Sequence, residues 1–161
     1  MSLQTHTSPL PLPPFYFVMR NFDHYQKHNY IFASEPFYTH PGGYKMAVAI
    51  YTKSDDEGKG THLSIYLDIL RGEFDDKLQW PFDGEVTVQA YNRTTRQWSM
   101  EQTFILNKRK CDLSVVSRRV DAMAATSWGY NDLLPLSELK RDYVKHINAV
   151  RFRVTNVKIC T

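Results

Sequence analysis

Cysteine is scarce in this chain, and no metal-binding spacing accompanies it. Cys111 and Cys160 are the two cysteines among 161 residues, which is too few for a disulfide framework. Neither has the CxxC or Cys/His spacing that zinc sites require. We therefore expect two free thiols, no metal and no other cofactor.

Long apolar runs are absent as well. No stretch approaches the roughly 18 apolar residues that cross a bilayer, and the apolar segment of a secretory leader does not follow Met1. These absences predict a cytoplasmic protein that does not insert into membranes.

Charge of one sign is not in large excess. Charged residues make up 23% of the chain and the net charge is +3, which is typical of an ordinary surface and predicts no nucleic-acid partner. One local basic cluster is either a solvated loop or a contact for phosphate or an acidic peptide. The cluster consists of Lys108, Arg109, Lys110, Arg118 and Arg119.

The residues of a catalytic site are missing too. Of the six histidines, none lies in a motif that places it beside a serine or cysteine nucleophile. Cys111 follows three basic residues, and nearby cations lower a thiol pKa, but it has no candidate base. The acidic run 55–57 lacks the alternating ligands of a calcium loop and favours a turn. We therefore expect that this domain is not an enzyme.

What the chain does contain is strand periodicity. Over 44–51 and 61–70 apolar residues alternate with others, so each segment has one buried and one wetter face. Short strands are expected at 15–21, 29–34, 44–51, 61–70, 84–92, 97–105, within 112–120 and at 148–157. Helical signal is limited to a turn in 136–143. The pattern predicts an all-β fold, an antiparallel β-sandwich of about eight strands.

Four prolines interrupt residues 1–14. Because this segment has no hydrophobic periodicity, we expect a flexible Pro-rich tail there and a β-sandwich domain over 15–161. The prolines could also serve as a ligand for a proline-binding module.

Aromatic residues mark a candidate binding surface on the wetter faces of two predicted strands. Tyr51 and Tyr66 have the parity of that face, and Ala49 is too small to fill the space between them. Farther along, Trp128 and Tyr130 flank Gly129 and precede no alternating run, so they could present two rings to an extended ligand. Aromatic anchors beside exposed backbone suit a peptide that adds to a sheet edge. The alternative is that all four rings pack in or around the core.

Several phrases also carry a family resemblance. They are PFYTHPGGYKM, GKGTHLSIYL and LRGEFDDKLQWPF, followed later by SWGY and LLPLSEL. Over about 15–157 the chain resembles the C-terminal domain of the TRAF adaptors, whose fold is also called MATH. The resemblance implies the same sandwich fold and a linear peptide bound along a sheet edge.

The resemblance also implies which residues contact that peptide. The matching positions are Tyr51, Asp55, Tyr66, Trp128, Gly129 and Tyr130. Ala49 stands where many TRAF domains carry an arginine that pairs with an acidic ligand residue, which removes the charge-assisted contact that would select acidic motifs. The Trp-Gly-aromatic order is similar to MATH proteins outside the TRAF group, such as a cullin-ligase substrate adaptor and a deubiquitinase.

These observations predict a peptide-recognition module of a cytosolic TRAF-like signalling adaptor. Its expected partners are short linear motifs of receptor tails or adaptor proteins. The alternatives are a structural or trimer-forming domain, with the trimer depending on an upstream coiled coil that this sequence lacks, and a MATH substrate-recruitment domain of a ubiquitin-ligase or deubiquitinase assembly. A RING ubiquitin-ligase region in the parent protein would be implied by the family alone.

Overall fold

Two antiparallel sheets pack face to face in this chain. The computed structural model describes residues 13–52, 61–120 and 127–160, and these contain nine strands. The strands are β1 (Phe15–Arg20), β2 (Phe32–Ala33), β3 (Phe37–Tyr38), β4 (Lys45–Tyr51), β5 (His62–Leu70), β6 (Gly84–Asn92), β7 (Gln97–Leu106), β8 (Trp128–Pro135) and β9 (Ala149–Ile159). The β-sandwich predicted from the sequence is confirmed.

The helical elements are short and lie between strands. They are α1 (Phe22–His28), α2 (Leu113–Val116) and α3 (Leu136–Glu138), with a 3₁₀ turn at Asp75–Lys77 and a π-helix at Leu139–Val144. The turn of helix predicted within 136–143 corresponds to α3 and the π-helix. Across the described ranges, no helix is long and apolar enough to span a membrane.

Strand order follows from the pairing. One sheet has four strands in the order β1-β9-β6-β7, and the other has five, in the order β2-β4-β5-β8 with β3 also paired to β4. In β5 Leu63 and Ile65, two of the alternating apolar residues, are fully buried. Their neighbours in β4, Val48 and Ile50, are fully buried as well. The alternating pattern therefore assigned the inner face of these two strands correctly.

Aromatic rings close one side of the sandwich. Phe17 stacks on Phe152 within the four-stranded sheet, with ring centroids 5.1 Å apart. Phe15 reaches across to Phe37 of the other sheet at 5.0 Å, and Phe17 reaches Phe32 at 6.2 Å. Each ring of this size contributes about 1.5–3 kcal/mol when it is fully buried. These stacked phenylalanine rings therefore hold β1 and β9 against the short strands β2 and β3.

One predicted strand is wrong. The segment 112–120 contains the short helix α2, in which Val115 and Val116 are both buried although they are adjacent. The Arg119 guanidinium donates hydrogen bonds to the backbone carbonyls of Ser114 and Val115. A strand would offer those carbonyls to a neighbouring strand, so this buried arginine stabilises the helical turn instead.

Candidate functional site

The site begins with one row of residues across three strands of the five-stranded sheet. Tyr66 in β5 is directly opposite Ala49 in β4 and Gly129 in β8. Opposed residues in antiparallel strands share a face, and Tyr66 alternates with the buried Ile65 and Leu67. Ala49, Tyr66 and Gly129 therefore lie on the outer face, as the strand parity of Ala49 and Tyr66 predicted.

A second tyrosine completes the aromatic part of this face. The rings of Tyr51 and Tyr66 meet edge to face, with centroids 5.2 Å apart, and both residues are half-buried. Ala49 is buried and lies directly opposite Tyr66. Burial, followed by the nearby Asp68 carboxylate and Tyr66, raises the pKa of Tyr51, so its hydroxyl keeps its proton to a higher pH than that of an exposed tyrosine.

Gly129 is required by the close approach of β5 and β8. A Cβ atom at this position would lie 2.1 Å from the Ile65 carbonyl oxygen and 2.6 Å from the Tyr66 Cα atom. The same Cβ would lie 2.8 Å from Cδ1 of the Tyr66 ring. Residue 129 must therefore lack a side chain, and the Tyr66 ring lies against the backbone of β8.

Trp128 and Tyr130 lie on the other side of β8. They are opposite Leu67 and Ile65, whose side chains face the core. The Tyr130 hydroxyl donates to the Thr103 carbonyl in β7 at 3.3 Å, and its ring centroid is 5.4 Å from that of Phe104. Both aromatic residues pack against the core. The rings of Trp128 and Tyr130 therefore do not lie beside Tyr66, and their packing agrees with the alternative in which they contact the core. Their part in a binding site stays a prediction.

The backbone of β8 forms the end of its sheet. Among the described residues β8 pairs with β5 on one side only, so alternate N–H and C=O groups along its other side have no strand partner. The opposite end of the sheet is formed by β2 and β3, which have two residues each, whereas β8 has eight. Tyr130 ties β8 to the other sheet, so this long edge is held in place.

Polar groups on the outer face come from residues that the sequence did not single out. Ser64 is fully buried and its hydroxyl donates to the Asn131 carbonyl at 2.5 Å, beside a register shift between Leu63 and Ile65. The Ser127 hydroxyl donates to the Asp68 carboxylate. Parity placed Ser64 and Asp68 on this face, but their partners depend on how β5 and β8 pair, which periodicity does not encode.

This face has no cation at the position where a TRAF-type arginine would be expected. Ala49 has no charge, Asp68 carries a carboxylate, and the cation on the same face of β4 is Lys45, four residues before Ala49. Asp55 lies outside the described residues. The arrangement therefore offers aromatic surface, backbone hydrogen bonds and one carboxylate to a ligand.

Cys111 does not have the environment of a reactive thiol. Cys111 is buried, and burial raises the pKa of its thiol despite the nearby Lys110, which is the opposite of the lowering that the preceding cations suggested. Within 13–52, 61–120 and 127–160, no group of three or more His, Cys, Asp or Glu residues could hold a metal ion.

Comparisons with known proteins point to one family. The family model described as TRAF/meprin, MATH domain matches residues 29–150. The chain is 35% identical over 116 residues to TNF receptor-associated factor 1 of Mus musculus, covering 70% of this chain and 27% of that protein. It is 44% identical over 71 residues to TNF receptor-associated factor 5 of Mus musculus, covering 44% of this chain and 13% of that protein.

A solved structure shows the same fold. Notothenia coriiceps TRAF5 matches with a TM-score of 0.78 at 25% identity, covering 92% of this chain and 74% of the other. The sequence relatives are much longer than this chain, which spans 27% of TNF receptor-associated factor 1 and 13% of TNF receptor-associated factor 5.

Proposed function

Because the chain belongs to the TRAF/meprin MATH-domain family, a family of protein-interaction domains, we propose that it is the peptide-recognition module of a TRAF-like adaptor. In this proposal a short extended segment of a receptor tail or adaptor protein pairs with the free edge of β8. The observation that carries it is that, among the described residues, β8 pairs with a strand on one side only, and that its neighbour β5 carries Tyr66 of the outward tyrosine pair.

The backbone supplies the affinity in such a complex. A ligand strand would bond to the alternate N–H and C=O groups along β8, as in other cases of strand addition. Gly129 has no side chain that could separate the ligand from the Tyr66 ring, so a ligand side chain can lie over that ring and contact Tyr51. Short segments that order on a shallow surface bind in the micromolar range, about 8 kcal/mol at 1 μM.

Side-chain chemistry sets the specificity. Since Ala49 offers no cation, a ligand carboxylate at this position would gain no charge-assisted hydrogen bond, a contact worth about 1.5–3 kcal/mol. The Asp68 carboxylate, two residues after Tyr66 in β5, instead favours a polar or basic ligand residue near that position. We therefore propose ligands with an apolar or aromatic residue over Tyr66 and no requirement for an acidic residue.

A peptide-display selection tests this proposal. Short disordered peptides are selected against the wild-type domain, and the enriched sequences are then measured against Tyr66→Ala and Tyr51→Ala. Tyr30→Ala is the matched control, because Tyr30 is 52% exposed and precedes β2, at the opposite end of the sheet from β8. Circular dichroism and urea unfolding confirm that each variant is folded.

The expected result is a common motif whose affinity falls at least about tenfold in Tyr66→Ala, a loss of about 1.4 kcal/mol, and stays unchanged in Tyr30→Ala. If enriched peptides bind Tyr66→Ala and Tyr51→Ala as well as wild type, the site is elsewhere. If selection yields no motif at all, the peptide-recognition function is wrong for the isolated domain.

A further inference from the structure

The outer face of the four-stranded sheet carries a second organised surface. Its central residues are Tyr16 in β1, Arg151 and Arg153 in β9, Tyr91 in β6 and Trp98 in β7. We call these five residues the arginine–aromatic face. They come from all four strands, and they lie on the sheet that does not contain β8.

The pairing register brings these side chains together in two rows. Arg153 is opposite Tyr16 on one side and Gln89 on the other. Arg151 is opposite Val18, and Tyr91 is opposite Trp98. Because Arg151 and Arg153 alternate with the buried Val150, Phe152 and Val154, both guanidiniums are on the outer face.

The rings hold the two guanidinium groups in fixed positions. The Arg151 guanidinium carbon is 4.9 Å from the Tyr91 ring centroid and 5.8 Å from the Trp98 ring centroid. That of Arg153 is 4.5 Å from the Trp98 ring centroid. Trp98 also contacts Tyr16 at 5.8 Å and Tyr91 at 5.4 Å. Stacked in this way, an arginine loses little further side-chain freedom when it binds an anion.

The hydrogen-bonding capacity of these arginines is largely unused. Arg153 donates through Nε to Gln89 Oε1 at 2.7 Å, and Gln89 in turn donates to Glu101 at 3.1 Å. Arg151 is exposed, and among the described residues it has neither a carboxylate within 4.0 Å nor a hydrogen bond. Each guanidinium has five N–H donors that suit bidentate pairing with a carboxylate.

The local charge is positive. Arg20, at the end of β1, is opposite Ala149, two positions before Arg151, and adds a third cation to this part of the face. Of the two carboxylates on the outer face of β6 and β7, Glu101 is held by Gln89 and Glu85 is opposite Lys158 at the far end of β9. An anionic partner would therefore meet little repulsion near Arg151.

We propose that the arginine–aromatic face binds an extended acidic protein segment with two carboxylates in the pattern acidic-x-acidic. Alternate residues on one strand are roughly 6.7 Å apart, so Arg151 and Arg153 have the spacing of alternate side chains on an extended ligand. Each arginine pairs with one carboxylate, and the exposed Tyr16 ring, 55% accessible, contacts the residue beside them.

A nucleic acid is the less suitable anion for this surface. Proteins that bind single strands stack bases on open aromatic faces, whereas the rings of Tyr91 and Trp98 have guanidiniums over them. This second site does not depend on the edge of β8, so either proposal can fail without the other.

NMR titration with short peptides tests the proposal. The probe is a Gly/Ser peptide that contains Glu-Thr-Glu, and the comparison peptide contains Glu-Glu-Thr, which has the same composition and charge without the alternate spacing. Arg151→Gln, Arg153→Gln and Trp98→Leu change the face, the last without altering its charge. Arg71→Gln removes one positive charge from an exposed position directly after β5, on the other sheet, and is the matched control.

The Glu-Thr-Glu peptide is expected to shift the resonances of Arg151, Arg153 and the Trp98 indole, and to bind several-fold more tightly than Glu-Glu-Thr. Each arginine variant should weaken binding by about fivefold, Trp98→Leu should also weaken it, and Arg71→Gln and Tyr66→Ala should leave it unchanged. Equal binding of the two peptides, an equal loss in Arg71→Gln, or no shifts at these residues would overturn the proposal. An oligothymidine that binds this face more tightly than the acidic peptide would overturn it as well.

Discussion

Both outer faces of the sandwich are formed by antiparallel strands, but they carry different side chains. On the five-stranded sheet the outward row consists of Ala49, Tyr66 and Gly129, so two of its three positions are small and the backbone of β8 remains accessible. On the four-stranded sheet the outward positions hold large rings and guanidiniums, with Arg153 stacked 4.5 Å from Trp98.

The difference shows two ways in which the surface of a sheet can bind a ligand. Small residues let a ligand reach the backbone, whose hydrogen bonds depend little on ligand sequence or on salt. Stacked arginines cover the backbone and offer fixed charges, whose attraction depends on ligand charge and is screened by salt. The five-stranded sheet should therefore select ligands by their fit to the β8 edge, and the four-stranded sheet should select them by their charge.

The largest effect is expected from filling the space at Gly129. In Gly129→Ala the new methyl group would overlap the Ile65 carbonyl, which is 2.1 Å from the Cβ position, and β8 would have to move away from β5. We expect the free energy of unfolding, measured with urea, to fall by about 3 kcal/mol.

Gly42 provides the control for that substitution. Its φ is +77°, but a Cβ there would have no atom within 4 Å, so Gly42→Ala has only backbone strain and should cost about 1–2 kcal/mol. If the two variants lose the same stability, close packing between β5 and β8 is not what requires glycine at 129.

Removing the Tyr130 hydroxyl should have the next largest effect. Tyr130→Phe loses the hydrogen bond to the Thr103 carbonyl and should lower the free energy of unfolding by about 0.5–1.5 kcal/mol, while peptide affinity is retained because the ring still supports β8. Urea unfolding and peptide titration of the same variant measure both quantities. Loss of affinity without loss of stability would assign Tyr130 to the ligand contact instead.

Salt should separate the two faces. Between roughly 50 mM and 500 mM salt the screening length shortens severalfold, so binding of an acidic peptide to the arginine–aromatic face should weaken by about fivefold or more. A peptide selected on β8 should change its affinity by less than about twofold over the same range. Calorimetric titration of both peptides at the two salt concentrations measures this, and equal salt dependence would contradict the comparison.

The smallest effect concerns the ionisation of Tyr51. Its pKa is raised above the ordinary value of 10.0 by burial first and then by Asp68 and Tyr66, so the folded state holds the phenolic proton more tightly than the unfolded state. The corresponding stability is present below pH 10 and decreases as the pH rises from there through the raised pKa. Urea midpoints measured upward from about pH 9 should therefore fall less steeply in Tyr51→Phe than in wild type; identical slopes would show that Tyr51 does not contribute.

The sequence predicted the two central strands of the site because their periodicity is strict. In β4 and β5 every second residue is apolar, and the outward positions of Tyr51 and Tyr66 follow from that alternation alone. The third strand could not be found in this way. In β8 the register shift opposite Leu63 and Ile65 breaks the alternation, and the inward direction of Trp128 and Tyr130 depends on pairing with β5.

The arginine–aromatic face could not be predicted from the sequence, for a related reason. Apolar residues alternate with Arg151 and Arg153 along β9, which is typical of a strand with one wetter face, but the stacking of these arginines on Tyr91 and Trp98 depends on which strands are neighbours. The helix α2 was missed because a buried side chain farther along, Arg119, satisfies its carbonyls. In each case a contact between distant residues decided what local periodicity left open.

Hydrogen exchange of the β8 amides in the presence of a display-selected peptide tests the central claim most directly. The account predicts that the peptide slows exchange of the amides within 128–135 that point away from β5. Tyr66→Ala should remove this protection at the same peptide concentration. Protection confined to β2 and β3, or to the four-stranded sheet, would contradict the assignment of β8 as the peptide-binding edge.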